Sequence, residues 1–238
     1  ASKMPLKFFL KFFQNHGLFK LKNRPQWYTV AKRSRTYVAK VLSSISGEYY
    51  KNYNVNRLIR RSNGIDLYYG DKSEFFSYDK VVLASHADQA LSIIDEPTKE
   101  EQEILSKFKY RENIAVIHTD ESIMPNNKDI WSSWNSSVDK NNVENNSITY
   151  WLNLLQNLDF NKNIFLTLNP NFKINEDKIL KKVNFTHPYF DQSALDNQDK
   201  LKNLQNKKNL LFCGSYFGYG FHEDGIKSSI EMIKAIDV

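Results

Sequence analysis

The sequence predicts a mixed α/β chain, α+β in its middle, whose first and last pieces share one domain around an inserted antiparallel layer. Three observations predict it. The apolar period changes from helical to alternating near residue 54. A compact apolar run, DKVVLA at 79–84, reads as a buried strand. The final stretch, NLLFCGSYFGYGFHEDGIKSSIEMIKAI at 209–236, reads as a strand, a glycine-spaced turn and a helix that return after the antiparallel interval.

Composition bounds the reading. The chain has 238 residues, enough for one large domain or two small ones, and its 41% hydrophobic and 25% charged content is that of a globular protein. The formal charge of +6 comes from 33 basic and 27 acidic residues. Apart from short clusters such as Lys32 to Arg35 they are interspersed, and no nucleic-acid motif accompanies them, so a solvated surface is expected and no nucleic-acid partner. The single cysteine, Cys213, excludes an internal disulfide and leads to the expectation of a cytoplasmic protein. No apolar run reaches the roughly 18 residues of a membrane span.

The first element is MPLKFFLKFF at 4–13, a helix that His16-Gly17 ends. Lys7 and Lys11 interrupt its apolar run and no small-residue cleavage site follows, so this stretch is not expected to be a signal peptide. Packing on other protein is the first expectation. The second is an interfacial helix that lays Leu6, Phe9, Leu10 and Phe13 against lipid while its lysines snorkel. Ser34 is placed to cap a helix through Tyr37, Val38, Val41, Leu42 and Ile45, with Gly47 as its stop.

Residues 54–61 and 65–69 alternate on either side of Asn63-Gly64, a hairpin with the chemistry of a type I′ loop. Residues 74–78 add a third strand, and 79–84 form a strand covered on both faces. A short helix at 88–94 stops before Pro97, and Thr98 with Glu101 makes a capping box for a helix to about Phe108. Strands are expected at 114–119, 130–135, 147–155 and 164–168, an exposed Asn-rich loop at 138–146, and a polar helix at 191–206.

Several chemistries lack their motifs. His16, His86, His118, His187 and His222 show no ligand spacing, so no metal site is expected. There is no nucleophile elbow and no Walker loop, and a dinucleotide fingerprint through Gly218 and Gly220 meets Glu223 where a third glycine belongs. Trp131, Trp134, Asn135, Tyr150, Trp151, Asn153, Thr167, Asn169 and Pro170 concentrate aromatic and amide groups on strands. Alternation puts Tyr150, Leu152 and Leu154 on one face, and Trp151, Asn153 and Leu155 on the other. These are either core residues under helices or, for Trp134, Asn135, Tyr150, Trp151 and Asn153, the lining of an apolar pocket.

Near the C-terminus, Gly214, Gly218 and Gly220 lead into a helix that starts at Asp224 or Gly225. A helix N-terminus with a glycine admits an electron-rich ligand, and a plain strand-to-helix connection is the other reading. Tyr219 and His222 are the catalytic candidates, with a structural or orienting role expected first for His222.

GSYFGYGFHEDGIKSS resembles the C-terminal flavin motif of FAD-dependent oxidoreductases of the flavin-containing amine oxidase superfamily, in its bacterial branch of NAD/FAD-binding proteins. FFQNHGLF, RPQWYTV, SRTYV, DKVVLASHADQAL, NIAVIHTD, WSSWN, ITYWLNLLQNL, TLNP and THPYF are similar to that branch in the same order. The resemblance implies a split FAD-binding domain at 31–95 and 209–238, with a substrate-binding domain at 1–30 and 96–208. It also implies a preceding Rossmann-like βαβ unit carrying GxGxxG, so that this is the C-terminal half of an enzyme, inactive on its own.

By that resemblance the backbone of Val55 meets adenine, and Ala84 and Ser85 lie near the cofactor. Gly214 and Ser215 approach its ribityl-phosphate part, and Glu223, Asp224, Gly225 and Ile226 bring a helix N-terminus to the flavin pyrimidine edge. Two positions depart from the pattern: Ser215 stands where the family has an acid, and Lys32-Arg33 where it often has two glycines. The implied reaction passes hydride from a substrate C–H or C–N bond to flavin. A lipid acyl chain is the implied substrate and an amine the alternative, with a cyclopropane-fatty-acid-synthase-like enzyme as partner. The competing class is a binding module that keeps the fold without cofactor.

Overall fold

The computed structural model describes residues 5–26, 28–70, 74–139 and 146–236. It divides into two compact units: 1–26, 46–110 and 188–238 in the first, 27–45 and 111–187 in the second. In chain order the described helices are α1 (Leu6–Asn15), α2 (Ser34–Ser43), α3 (Ala87–Ile93), α4 (Lys99–Leu105), α5 (Leu152–Leu155), α6 (Gln192–Gln198) and α7 (His222–Lys234). The strands are β1 (Val55–Arg61), β2 (Gly64–Tyr69), β3 (Phe75–Tyr78), β4 (Val81–Leu83), β5 (Lys109–His118), β6 (Trp134–Val138), β7 (Asn146–Trp151), β8 (Phe165–Leu168), β9 (Ile179–Tyr189) and β10 (Leu210–Phe212).

In the first unit, β1, β2 and β3 form an antiparallel meander in which Leu58 pairs with Leu67 and Leu67 with Phe76. The expected hairpin is present, but its loop is not type I′. That turn needs positive φ at both central residues; here Ser62 and Asn63 are not left-handed, and the positive φ falls on Gly64 at 147°. A Cβ at Gly64 would stand 2.5 Å from the Tyr78 carbonyl oxygen, so the adjacent strand end requires the glycine.

β4 and β10 pair in parallel, Val81 with Leu210 and Leu83 with Phe212. Val81 and Leu83 are buried, whereas Val82 is 42% exposed. Coverage on both faces is therefore not met, because the residue between the two core positions points away from the core. Leu58, Ile65, Leu83, Leu105, Phe212 and Tyr216 share one buried cluster. The expected polar helix at 191–206 is instead α6 followed by a 3₁₀ turn at Leu201–Leu204, both of whose leucines are buried. That apolar pair fastens the turn to the core, which breaks the helical run.

The caps carry the local logic. Thr98 Oγ1 accepts from Glu101 N at 3.2 Å and Glu101 accepts from Thr98 N at 2.7 Å, the expected capping box. The other Glu101 oxygen accepts from the Arg60 guanidinium, and both side chains are largely buried. The first amide of α3, Ala87 N, donates to the Tyr110 hydroxyl at 3.0 Å, and burial pushes that hydroxyl's pKa up to about 12.

The second unit is built on a sheet of order β6-β7-β8-β5-β9. β6 pairs with β7, β7 with β8 and β8 with β5, all antiparallel. β7 ends at Trp151 rather than running to 155. Asn153 Oδ1 accepts from Ile164 N at 2.8 Å and its Nδ2 donates to the Lys162 carbonyl at 3.0 Å, which folds 152–155 into the single turn α5. The strand expected at 130–135 begins only at Trp134, after a 3₁₀ turn at Lys128–Ile130 and an irregular stretch at 131–133. The Asn-rich loop falls at 140–145, outside the described residues, apart from its edges. Ser34 lies inside α2 and does not cap it; the preceding Arg33 has φ 69° and no side-chain cap bond forms.

A buried polar line crosses this sheet. Asp120 N donates to His118 Nδ1 at 3.2 Å, which fixes the neutral tautomer with its proton on Nε2. His118 Nε2 then meets Thr167 Oγ1 at 2.8 Å, and Thr167 meets Thr149 at 2.9 Å. Burial lowers the His118 pKa, outweighing the pull of Asp120. Burial opposes ionisation of Asp120 as well, but donors from Asn175 N, Ser122 N and Oγ and Lys178 Nζ overcome it and hold its pKa well below the usual carboxylate range.

Two predictions follow from these contacts. Replacing Glu101 by Ala leaves the largely buried Arg60 without its carboxylate and removes half of the α4 cap, so denaturant unfolding should show a loss of about 3 kcal/mol, against about 1 kcal/mol for Thr98→Ala. In the second unit His118 and Asp120 both have folded pKa values below their unfolded ones. Their stabilisation is therefore complete at neutral pH; the share of His118 is lost as pH falls below about 6.5 and that of Asp120 as pH falls below about 3.9. Thermal unfolding across this range should show two acid-sensitive steps, and His118→Gln should remove the first while leaving the second.

Candidate functional site

Parallel strands place ligands beyond their carboxyl ends, where the backbone leaves the sheet. In the first unit those ends belong to β4 and β10, and the residues that follow are Ala84-Ser85 and Cys213-Gly214-Ser215. Gly214 has φ 152°, and a Cβ there would lie 2.8 Å from Tyr216 Cε1 and 3.6 Å from the Ser85 carbonyl oxygen. The chain turns there against Ser85 only because residue 214 is glycine.

Ser228 fixes α7 to this turn. Its hydroxyl accepts from Gly214 N at 2.9 Å and donates to the Gly225 carbonyl at 2.7 Å. Gly225 therefore faces the turn: a Cβ added to it would have Ser215 N, at 3.9 Å, as its neighbour. The space beside Gly225 admits a methyl group in ordinary contact and no branch toward Ser215.

α7 starts at His222, ahead of the expected Asp224 or Gly225. The Gly225 amide consequently lies within the helix and donates to the Phe221 carbonyl at 3.1 Å. Asp224 is turned back, accepting from Tyr219 N and Phe221 N, each at 3.0 Å. Gly218 makes room for that carboxylate, since a Cβ there would be 2.4 Å from Asp224 Oδ1. Glu223 pairs with Lys227 at 3.4 Å, and His222 and Ile226 are exposed. The Tyr219 ring rests on Phe8 with centroids 5.0 Å apart.

Val55, Ala84 and Ser85 line one concavity of about 570 Å³, with Asn54, Leu67 and Gln89 beside them. Val55 of β1 thus converges with the adjacent pair Ala84-Ser85 that follows β4, and a Cβ added at Gly214 would lie 3.6 Å from the Ser85 carbonyl oxygen. Tyr219, Glu223 and Asp224 line a second concavity of about 370 Å³ with Phe12 and His16. Reading the sequence singled out the glycines but not Ser228, whose spacing of three residues after Gly225 was the available signal. Tyr216 was missed too; burial raises its hydroxyl's pKa, and that oxygen has no hydrogen-bond partner among the described residues.

The aromatic and amide group lies in the second unit. Trp134 pairs with Tyr150 across β6 and β7, with rings edge-on at 6.5 Å, and Trp134 is exposed. Asn135 is spent on a turn, accepting from Ser132 N at 3.0 Å and donating to its carbonyl at 2.6 Å. Trp151 packs edge-on against buried Trp131 at 5.3 Å and donates to Asn163 at 3.0 Å, and Asn153 holds the α5 turn. Of the five, Trp134 and Tyr150 present ring surface while the amides of Asn135 and Asn153 are engaged internally. Among the described residues no cluster of three or more His, Cys, Asp and Glu can hold a metal ion.

The Gly214 turn yields a direct test. Gly214→Ala forces a Cβ onto the Tyr216 ring at a strained φ and should cost about 1–3 kcal/mol of stability. Amide hydrogen exchange should show the loss centred on β10 and the first turns of α7; uniform exchange across the first unit would show that the turn is not what joins them.

No protein-family model and no curated protein matches the sequence. Solved structures share its fold. The CLA-producing fatty acid isomerase from P. acnes aligns with a TM-score of 0.62 at 14% identity, over 89% of this chain and 53% of its own. A protein from Exiguobacterium sp. 255-15 described as a protoporphyrinogen oxidase aligns with a TM-score of 0.61 at 9% identity, over 97% and 58%. A double mutant of putrescine oxidase, made in a redesign of cofactor binding, gives 0.58 at 8% identity, over 87% and 53%. The chain spans just over half the length of these structures, and at such identities the likeness is one of fold.

Proposed function

We propose that the chain is the C-terminal half of an FAD-dependent oxidoreductase of the amine-oxidase type. The observation that carries this reading is the meeting of Ala84-Ser85 with Gly214-Ser215 at the carboxyl ends of β4 and β10, with Val55 on the same concavity. A glycine cradle at that place, in a fold shared with putrescine oxidase, fits a dinucleotide cofactor. Val55, Ala84 and Ser85 would hold its adenosine side, and Gly214 and Ser215 its ribityl chain. The flank of α7 at Gly225 would meet its pyrimidine edge.

Bound FAD supplies a hydride acceptor for a substrate C–H or C–N bond. The residues of this chain bind and orient: Ser228 sets the distance between the turn and α7, and Gly225 leaves the gap beside Ser215 open. The substrate in this reading is a lipid acyl chain, which the fold shared with a fatty acid isomerase supports, and an amine is the second choice. Trp134 and Tyr150 would offer it an aromatic surface. A cyclopropane-fatty-acid-synthase-like enzyme is the partner that an acyl substrate implies.

The test is an absorption spectrum of the longest native product reconstituted with FAD. Flavin bands are expected, and their absence overturns the reading in favour of a binding module without cofactor. Gly225→Leu should weaken FAD binding at least about tenfold with little change in thermal midpoint, since the added branch enters the gap at Ser215 rather than the core. The 238-residue chain alone should bind FAD poorly.

A further inference from the structure

We propose that the outward face of α1, continued by the segment that follows it, docks on an anionic phospholipid bilayer. α1 has two apolar faces. At 100° per residue, Phe8 and Phe12 fall on one side and Leu6, Phe9, Leu10 and Phe13 on the other. The first side is satisfied: Phe8 stacks on Phe190 with centroids 5.0 Å apart, and Phe12 on Phe221 at 5.6 Å. The second is left to solvent, with Leu6 69% exposed and Phe9 and Leu10 exposed beside it. Phe13 bridges Phe9 at 4.2 Å and Phe19 at 5.4 Å, which carries the apolar surface past the helix to Leu18, Phe19 and Leu21, the last 90% exposed.

The charge around this surface has one sign. Residues 5–26 contain Lys7, Lys11, Lys20, Lys22 and Arg24 and no acidic residue, and all five cations are exposed. They account for most of the chain's formal +6. Among the described residues none of the five is ion-paired.

That pattern decides the occupant. A second copy would bring its own five cations against these five, which opposes association through this face. A leaflet rich in anionic lipid attracts each cation, and its acyl boundary takes up Leu and Phe side chains to a depth of about 5–10 Å, which is the reach of one helix lying in the interface. The aromatic stacks on Phe190 and Phe221 hold α1 in place beforehand, so little further ordering is needed on docking. No helix among the described residues is long and apolar enough to cross a membrane, so the contact is peripheral. The inference rests on this face alone and stands whether or not FAD binds.

The experiment is co-sedimentation of the 238-residue chain with vesicles of phosphatidylcholine alone and of phosphatidylcholine mixed with phosphatidylglycerol, at low and high salt. Binding to the mixed vesicles that weakens with salt is expected. Phe9→Asp with Leu10→Asp should lower partition at least about tenfold at both salts. Lys7→Glu with Lys11→Glu should lower it mainly at low salt. Both pairs are exposed, and circular dichroism should show an unchanged fold. Equal recovery with and without vesicles, or a Phe9→Asp/Leu10→Asp protein that binds like the parent, overturns the proposal. So does a lipid-free dimer, seen by sedimentation velocity, that the same double substitution dissociates, because the face would then belong to a second copy.

Discussion

The first unit depends on the parallel pairing of β4 with β10. Antiparallel strands can be joined by a two-residue turn, but parallel strands need a crossover, and here the crossover contains most of the molecule. Everything from α3 to the turn after α6 leaves β4 and returns to β10. The entropy of closing so long a loop grows only slowly with its length, so the insertion is tolerable if the pair is well buried when it forms. Leu210, Leu211 and Phe212 meet that condition, being fully buried. The pairing also brings the two strand ends together: Cys213 N donates to the Leu83 carbonyl at 3.1 Å, and a Cβ added at Gly214 would stand 3.6 Å from the Ser85 carbonyl oxygen.

Much of this was legible in the sequence where a residue's neighbours in the chain decide its structure. The Thr98 and Glu101 box works within one turn of helix, and the alternation of β1 and β2 needs only their mutual pairing. Features settled by distant partners were not legible. Residue 64 must be glycine because a Cβ there would collide with the Tyr78 carbonyl oxygen, which lies far along the chain. β9 gave no strand signal: its residues are mostly exposed at the edge of the sheet, and a Lys-rich edge strand has no buried face to create alternation. Residues 152–155 look like more strand by composition, and only the side-chain bonds of Asn153 to the segment before β8 turn them away.

The same division holds at the candidate site. The glycines and the closing strand were visible because φ and close approach restrict residue type at a single position. Ser228 was not, since a serine in a helix has many uses and only its two bonds to Gly214 and Gly225 give it one. In the sequence, Asn135 and Asn153 have all the appearance of ligand-binding amides. A buried or half-buried amide must satisfy several bonds, and in this molecule nearby turns supply them.

The start of α7 moves the weight of the site. With the helix beginning at His222, the Gly225 amide is already bonded, and the Asp224 carboxylate caps the turn from Tyr219 to Phe221. Glu223 and Asp224 place two negative charges at the positive end of the helix dipole. An electron-rich ligand approaching end-on would meet that charge before it met the amides. An approach from the flank avoids it, passing between the bare Cα of Gly225 and the turn at Gly214 and Ser215. In the proposed reading the strand end, clamped by Ser228, would therefore offer more of the surface facing the cofactor than the helix terminus, and glycine at 225 would matter for the gap it leaves rather than for the donor it carries.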